Sequence, residues 1–458
     1  MPFHNEKQNA TVLIHLRRLW KSFTIENIMT RLDRIAKEYV ELTLTKHQYH
    51  DVWDVYWMAD TIFWKRKDLY IDRENPVYPY KPAPKKPYMS LEDILNASEH
   101  LLQDIKDIEP PIKENDSIRA QYLEEHIRAL IVRTRFLMNE KISYDEYTKE
   151  MFQLTAPEFD EKPIRTAIKE LDKLLPGSDS LEKRMKEYRE HIRIPEERFP
   201  EVMDYAAKFF HRMAVENMGV KDCCMPRIRY RKFNSSRDFI TILFGYDYDE
   251  ISLEQIFNSG LSYYLDNIRE IAGHELEPGH FTFMNLRTKG AIDTGYPELG
   301  LNLHCPSSAF IEAGARMSIE LSLDTEEKER RFDEKLFEIA GVDKKFLEIL
   351  PAYRKYTQAS NYAKIEIEKN VWDGIWTDEQ AKEFAKSYAI DYADIERFKK
   401  DGGHYTSHCY STDLLREYYF KCFSTTEERW KAYSKLCQSP FSMEKIANKE
   451  FDPFAFTL

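Results

Sequence analysis

Apolar and aromatic positions recur at three- and four-residue spacing along most of the chain. Between Thr11 and about Arg73 the run Ile25, Ile28, Met29, Leu32 and Ile35 marks amphipathic helix. Five prolines, Pro76, Pro79, Pro82, Pro84 and Pro87, then forbid helix and predict a stiff linker or a strap across the surface. Ser90, with Asp93 three residues later, reads as an N-cap opening a helix from Leu91 to about Ile105. Helices over Ser117 to Asn139 and Tyr144 to Phe152 follow. Another, from about Lys162, stops at Leu174-Leu175-Pro176-Gly177, after which helix resumes.

The period changes between Pro226 and Gly245, where Ile228, Tyr230, Phe233, Phe239, Thr241, Leu243 and Phe244 alternate as in one or two short strands. Helix is expected again over Leu253 to Glu277, Ser307 to Leu323 and Thr325 to Ile339, and through most of the remainder to Phe423. The expected class is therefore mainly α, with a small β element near 226–245. No fixed-period repeat is present. The organisation expected is an N-terminal helical cap or lobe over 1–75, the proline-rich linker over 76–89, and a helical catalytic body over 90–458.

Composition narrows the partners more than the fold. The chain has 458 residues, 42% of them apolar, enough to bury a large core, and its 14 glycines are too few for the tight turns of an all-β protein. A net charge of −12 argues against a nucleic-acid surface. Arg227, Arg229, Arg231 and Lys232 read equally well as a solvated strand edge or as a contact for an anionic substrate group. No window approaches the roughly 18 apolar residues of a membrane span, and the polar N-terminus does not read as a signal peptide. A soluble, cytoplasmic protein with no membrane partner is expected. The six cysteines lack paired spacing and are expected to be reduced, most of them buried as small apolar residues.

The densest chemical signal is Ala272-Gly273-His274-Glu275-Leu276-Glu277-Pro278-Gly279-His280. A hydrolytic zinc site needs about three protein ligands, an open position for water, and a carboxylate to take that water's proton. On a regular helix, six residues from His274 to His280 would place the rings roughly 240° apart, unable to share an ion. The motif therefore demands a break, and Pro278 with Gly279 provides it, the glycine being expected in the left-handed conformation. His274 and His280 become candidate ligands, and Glu275 the candidate general base.

A third ligand is sought on a neighbouring helix. Glu312, alone in the small-residue stretch Ala309-Phe310-Ile311-Glu312-Ala313-Gly314-Ala315, is the first candidate, because a buried carboxylate needs a compensating cation. The competing reading pairs it with Arg316 in a surface bridge. His304 and Glu320 are rivals for the ligand position. Zn²⁺ is the expected ion, although two histidines and a carboxylate also suit iron, manganese or cobalt.

At these residues the chain resembles the metallopeptidase-like family catalogued as the domain-of-unknown-function family numbered 885, whose members carry His-Glu-x-x-Pro-Gly-His followed by a Phe-x-Glu-Gly-Trp-Ala helix. His274, Glu275, Pro278, Gly279 and His280 match the first motif, and Phe310, Glu312 and Ala315 match the second, with Ala313 and Gly314 in place of Gly-Trp. Leu174-Leu175-Pro176-Gly177 with Leu181, Arg184 and Tyr188, and Gln358-Ala359-Ser360-Asn361-Tyr362, resemble further family segments. The resemblance spans roughly Asp145 to Lys364. It implies a helical, gluzincin-type zinc hydrolase with peptides as substrates.

The chemistry expected is metal-assisted hydrolysis of a peptide or small-molecule amide, with Glu275 taking the water's proton and returning it to the leaving group. A donor must also stabilise the oxyanion. Tyr362 takes that role by resemblance. His404 and Tyr405, in the cluster Gly402-Gly403-His404-Tyr405-Thr406-Ser407-His408, are a second source. Two alternatives stay open: a metal-dependent lyase or cyclase acting on a small metabolite, and a non-catalytic interaction protein retaining the fold.

Overall fold

The computed structural model describes residues 30–46, 49, 56–57, 89–108, 113–221, 225–233, 239–247, 250–302, 307–392, 402–441 and 443–456. The prolines of the expected linker, His304, Cys223, Cys224 and Cys305 lie outside them, as do the expected helical stretches before residue 30 and after residue 57. Helix α1 (Arg31–Lys46) precedes the two-residue strand β1 (Tyr56–Trp57), and α2 (Leu91–Lys106) and α3 (Glu114–Leu137) complete the first group. These three helices bury Ile35, Tyr39, Leu101, Leu123 and Ile127 against one another. Helices α4 (Tyr144–Phe152), α5 (Glu161–Leu174), α6 (Leu181–His191) and α7 (Phe199–Met218) then lead to strands β2 (Arg227–Arg231), β3 (Phe239–Asp247) and β4 (Glu250–Asn258).

The sheet has the order β2-β4-β3, with β2 parallel and β3 antiparallel to β4. A π-helical turn (Glu270–His274) precedes α8 (His280–Thr294), and β5 (Leu301–Asn302) pairs antiparallel with β1. The rest is helical: α9 (Ser307–Ser322), α10 (Glu326–Ala340), α11 (Leu350–Trp372), α12 (Asp378–Ser387), a second π-helical turn (Thr406–Tyr410), α13 (Ser411–Cys422), α14 (Thr426–Gln438) and α15 (Met443–Ala447). The fold is mainly α with a small β element. Among the described residues no helix is long and apolar enough to cross a membrane.

Local chemistry sets many helix ends where the sequence places them. Ser90 and Asp93 form a capping box, with Ser90 Oγ 3.0 Å from the Asp93 amide, and Thr325 caps α10 through the Lys328 amide. The helix expected over Leu253 to Glu277 is not formed at its start. Leu253, Ile256 and Phe257 have helical spacing, but the segment is the central strand, where Glu254, Gln255, Ile256, Phe257 and Asn258 are all buried. A strand covered on both faces loses the two-residue alternation that identifies strands at edges. Strand β2 is such an edge: Arg227, Arg229 and Arg231 point to solvent, Arg229 pairing with Glu254 at 2.6 Å, so these arginines are a solvated strand edge.

Helix α9 is enclosed by its neighbours. All of its residues except Arg316 and Glu320 are buried, which only small side chains such as Ala309, Ala313, Gly314, Ala315 and Ser318 allow at close helix approach. A Cβ on Gly314 would lie 2.9 Å from the Phe283 ring and 3.4 Å from that of Tyr433. Those two aromatics fill the space that the Trp of the resembling motif would require. Of the described cysteines, all free thiols, Cys437 is buried, Cys409 half-buried and Cys422 exposed.

Candidate metal centre

The motif is built on an interrupted helix. The Glu275 amide donates to Glu270 O at 3.2 Å, a five-residue step that closes the π-helical turn and leaves His274 buried. Residues 275–279 form turns, the Glu277–Pro278 peptide is cis, and α8 starts at His280. The break therefore lies where the sequence places it, but the glycine works differently. Gly279 has φ −76° and ψ −131°, not the left-handed conformation. Its requirement is close approach: a Cβ there would be 1.9 Å from His274 O and 2.5 Å from Gly273 O. Tyr433 Oη donates to Pro278 O at 3.1 Å, Ser318 Oγ to Gly273 O at 3.3 Å, and buried His211 holds Glu277 at 2.5 Å. Three other helices thus fix the loop.

The result brings His274 and His280 together, with ring centroids 4.4 Å apart and planes at 78°. Glu312 enters from α9, His274 Nε2 lying 3.3 Å from its Oε2 and His280 Nε2 3.2 Å from its Oε1. The competing surface bridge from Glu312 to Arg316 does not form; Arg316 instead lies 3.8 Å from Glu270. Glu275 is about one-third exposed, with its carboxylate 3.8 Å from His274 Nε2.

His408 is a member that sequence reasoning did not place in the cluster. Its Nε2 is 3.6 Å from Glu312 Oε1, while Nδ1 faces His404 O at 2.9 Å and Ser407 Oγ at 2.8 Å. Such an engaged second nitrogen is what orients ligating imidazoles. The signal was present as His404-x-x-x-His408, a four-residue spacing that runs into the second π-helical turn and brings the ring centroids to 3.9 Å with planes tilted at 33°. Glu277 and His211 were missed as well, because a buried support pair carries no spacing signature.

Electrostatics in the cluster are dominated by the buried carboxylate. Burial raises the pKa of Glu312, but His408, His280 and His274 outweigh it and hold the group ionised, well below the usual range. Burial depresses His280, yet Glu312 and then Glu275 bring it up to about 9. His408 is pushed down to about 4, chiefly by burial, with Glu312 opposing and Arg316 reinforcing the fall. His404 is pushed well down by burial and by His408.

The donor set fits a divalent ion. Ligand atoms of His274, His280 and Glu312 all lie within 4.8 Å of one another. In a tetrahedral zinc site, with bonds of about 2.0 to 2.2 Å, neighbouring donor atoms stand about 3.3 Å apart. The two imidazole-to-carboxylate separations have that size. His274 Nδ1 is buried without a hydrogen-bond partner among the described residues, a departure from the usual supported ligand.

The remaining expected residues are dispersed. Tyr362 Oη donates to Asp413 Oδ2 at 2.7 Å, and burial followed by Asp413 raises its pKa. Tyr405 is buried in the apolar cluster with Ala363 and Ile365, its amide donating to Glu368. His404 stands one imidazole away from Glu312, behind His408. Glu320 is taken by Arg416, whose Nε lies 2.8 Å from both of its oxygens, and is not part of the cluster. A cleft of about 670 Å³ opens beside the centre, lined among others by Glu270, Arg316, Gln358, Cys409, Asp413 and Arg416.

No family model matches the chain, and no curated protein matches it. Among solved structures it is similar to one described as "the putative lipoprotein from Colwellia psychrerythraea". That likeness has a TM-score of 0.43 and 12% identity, over 79% of this chain and 67% of the other.

Proposed function

We propose that the protein is a metal-dependent hydrolase acting on peptides or related amides, with His274, His280 and Glu312 as ligands and Zn²⁺ as the ion. The observation that supports this most is the convergence of those three side chains from separate elements, with the part-exposed Glu275 carboxylate 3.8 Å from His274 Nε2. When bound, a divalent ion in this donor set supplies Lewis acidity and an acidified water. Glu275 takes the water's proton as the carbonyl carbon is attacked and returns it to the departing amine, so the amide is split without other reactants. A purely structural ion site has no use for such a base. His408, fixed through an Nδ1 that faces His404 O, places its Nε2 3.6 Å from Glu312 Oε1 at the edge of the cluster.

The test is metal content by elemental analysis together with turnover of a peptide library, repeated for Glu275→Gln. Stoichiometric metal in both proteins, with peptide cleavage lost only in the variant, is the expected result. Absence of metal from the wild-type protein would sink the reading. Metal without turnover of any peptide would move the chemistry to a small-molecule lyase or cyclase.

A further inference from the structure

The cations around the cleft fall into two groups. Arg354 donates to Asp333 at 2.8 Å, Arg416 to Glu320 at 2.8 Å and Lys355 to Glu170 at 2.6 Å, and Arg269 pairs with Glu329. Each is neutralised by a carboxylate already in contact. Arg316 is different. Among the described residues its guanidinium makes no hydrogen bond, and its nearest acid, Glu270, is 3.8 Å away, beyond donor range. Its Nε is buried without a partner among the described residues, as is that of Arg354, so the difference lies in the terminal nitrogens.

The position of Arg316 adds meaning to its unused donors. It lies four residues after Glu312 on α9, one turn or about 6 Å along the axis. It lines the cleft beside the centre, and its charge is felt by His280 and His408. An extended peptide covers about 3.5 Å per residue. A chain whose scissile carbonyl sat at the centre would therefore bring a group one or two residues downstream to the guanidinium. The planar fork of arginine matches a carboxylate in two-point contact.

We infer that Arg316 receives a carboxylate of the substrate, and that this carboxylate is the free C-terminus one or two residues beyond the scissile bond. The cleft is then an exo-acting site that trims peptides from their C-terminal end. This rests on the hydrolase reading above. An acidic side chain at the same distance offers the same chemistry from a different source.

Binding to metal-loaded Glu275→Gln protein, which cannot turn over, separates these possibilities. The probes are an N-acetylated alanine tripeptide as the free acid, the same peptide as its C-terminal amide, and an amide carrying one glutamate side chain in the last position. The free acid should bind about 10- to 100-fold more tightly than the plain amide, the range expected for hydrogen bonds to a charged group. Adding Arg316→Gln should erase that difference with little change in melting temperature, and Arg316→Lys should restore only part of it. Equal binding of acid and amide, or equal loss of both in Arg316→Gln, would overturn the inference. Recovery by the glutamate amide to the level of the free acid would overturn the assignment to the C-terminus. Selective binding of the free acid by a wild-type protein that cleaves no peptide would instead count against hydrolysis alone, leaving the role of Arg316 intact.

Discussion

His126 and His408 are both imidazoles enclosed by helices, yet their nitrogens meet different company. His126 donates from Nδ1 to Tyr122 O at 2.7 Å and accepts at Nε2 from Ser307 Oγ at 2.8 Å. Ser307 in turn meets Tyr122 Oη and Arg287 Nη2, and Arg287 Nη1 reaches Ser439 O at 3.0 Å. The network closes on hydroxyls and carbonyls, and its buried guanidinium spends both terminal nitrogens inside it, leaving only Nε without a partner among the described residues. His408 also engages Nδ1, but its Nε2 joins His274 and His280 around one carboxylate. The arginine nearest that group, Arg316, leaves its donors unspent. Both regions draw on α9, which supplies Ser307 to the first and Glu312 to the second. Closure marks a network that holds the fold, and convergence with leftover capacity marks one that awaits a ligand.

Four experiments would break or sharpen this contrast. Arg287→Ala should have the largest effect, destabilising the protein by about 3 to 5 kcal/mol, since it leaves a cavity and strips donors from three buried acceptors. Urea unfolding measures it, and the metal affinity of the remaining folded protein should be unchanged. Glu312→Gln should do the reverse, weakening metal binding by more than about 100-fold, since even supporting residues contribute 10- to 100-fold. Competition with a chelator reads that loss, while the melting temperature of the metal-free protein should shift far less than in Arg287→Ala.

The third experiment uses pH. Burial holds the pKa of His126 down at about 3 against an ordinary 6.5, opposed by its bond to Tyr122 O. Between those values the unfolded chain binds the proton and the folded chain does not. The contribution is thus complete above pH 6.5 and is lost as pH falls towards 3. From pH 6.5 to 5 it should remove about 2 kcal/mol of stability, a slope that His126→Asn should flatten in denaturant titrations. Last, Tyr362→Phe should lower kcat by less than about ten-fold on peptide substrates, because its hydroxyl is committed to Asp413. A larger fall would show that the tyrosine turns to the substrate as an oxyanion donor.

What the sequence made legible divides along the same physical line. Caps are local, so Ser90 and the starts of α4 and α10 could be read directly. The helix break at Pro278 and Gly279 was also local, since the spacing of His274 and His280 cannot be served without it. Tertiary cover hid the rest. Strand β4 lost its alternation because both faces are packed, and α8 offered no one-sided stripe, with Phe281, Phe283, Arg287, Thr288 and Ala291 all buried around it. The left-handed glycine was a sound local inference displaced by a contact, since only the folded loop brings His274 O to Gly279. The helical spacing of His404 and His408 was visible, but nothing local ties that segment to Glu312.

The enclosure of α9 also limits how this cleft can change over evolutionary time. Fourteen of its sixteen positions are buried, so most substitutions along it are filtered by packing before any change in selectivity is felt. Arg316 and Glu320 are the two positions of the helix that packing does not enclose, and each is tied to the cleft instead. An inserted residue between Glu312 and Arg316 would rotate the guanidinium by about 100° into the packed interior. A change of selectivity should therefore enter at those two sites or in the facing loops, while the length of α9 stays constant.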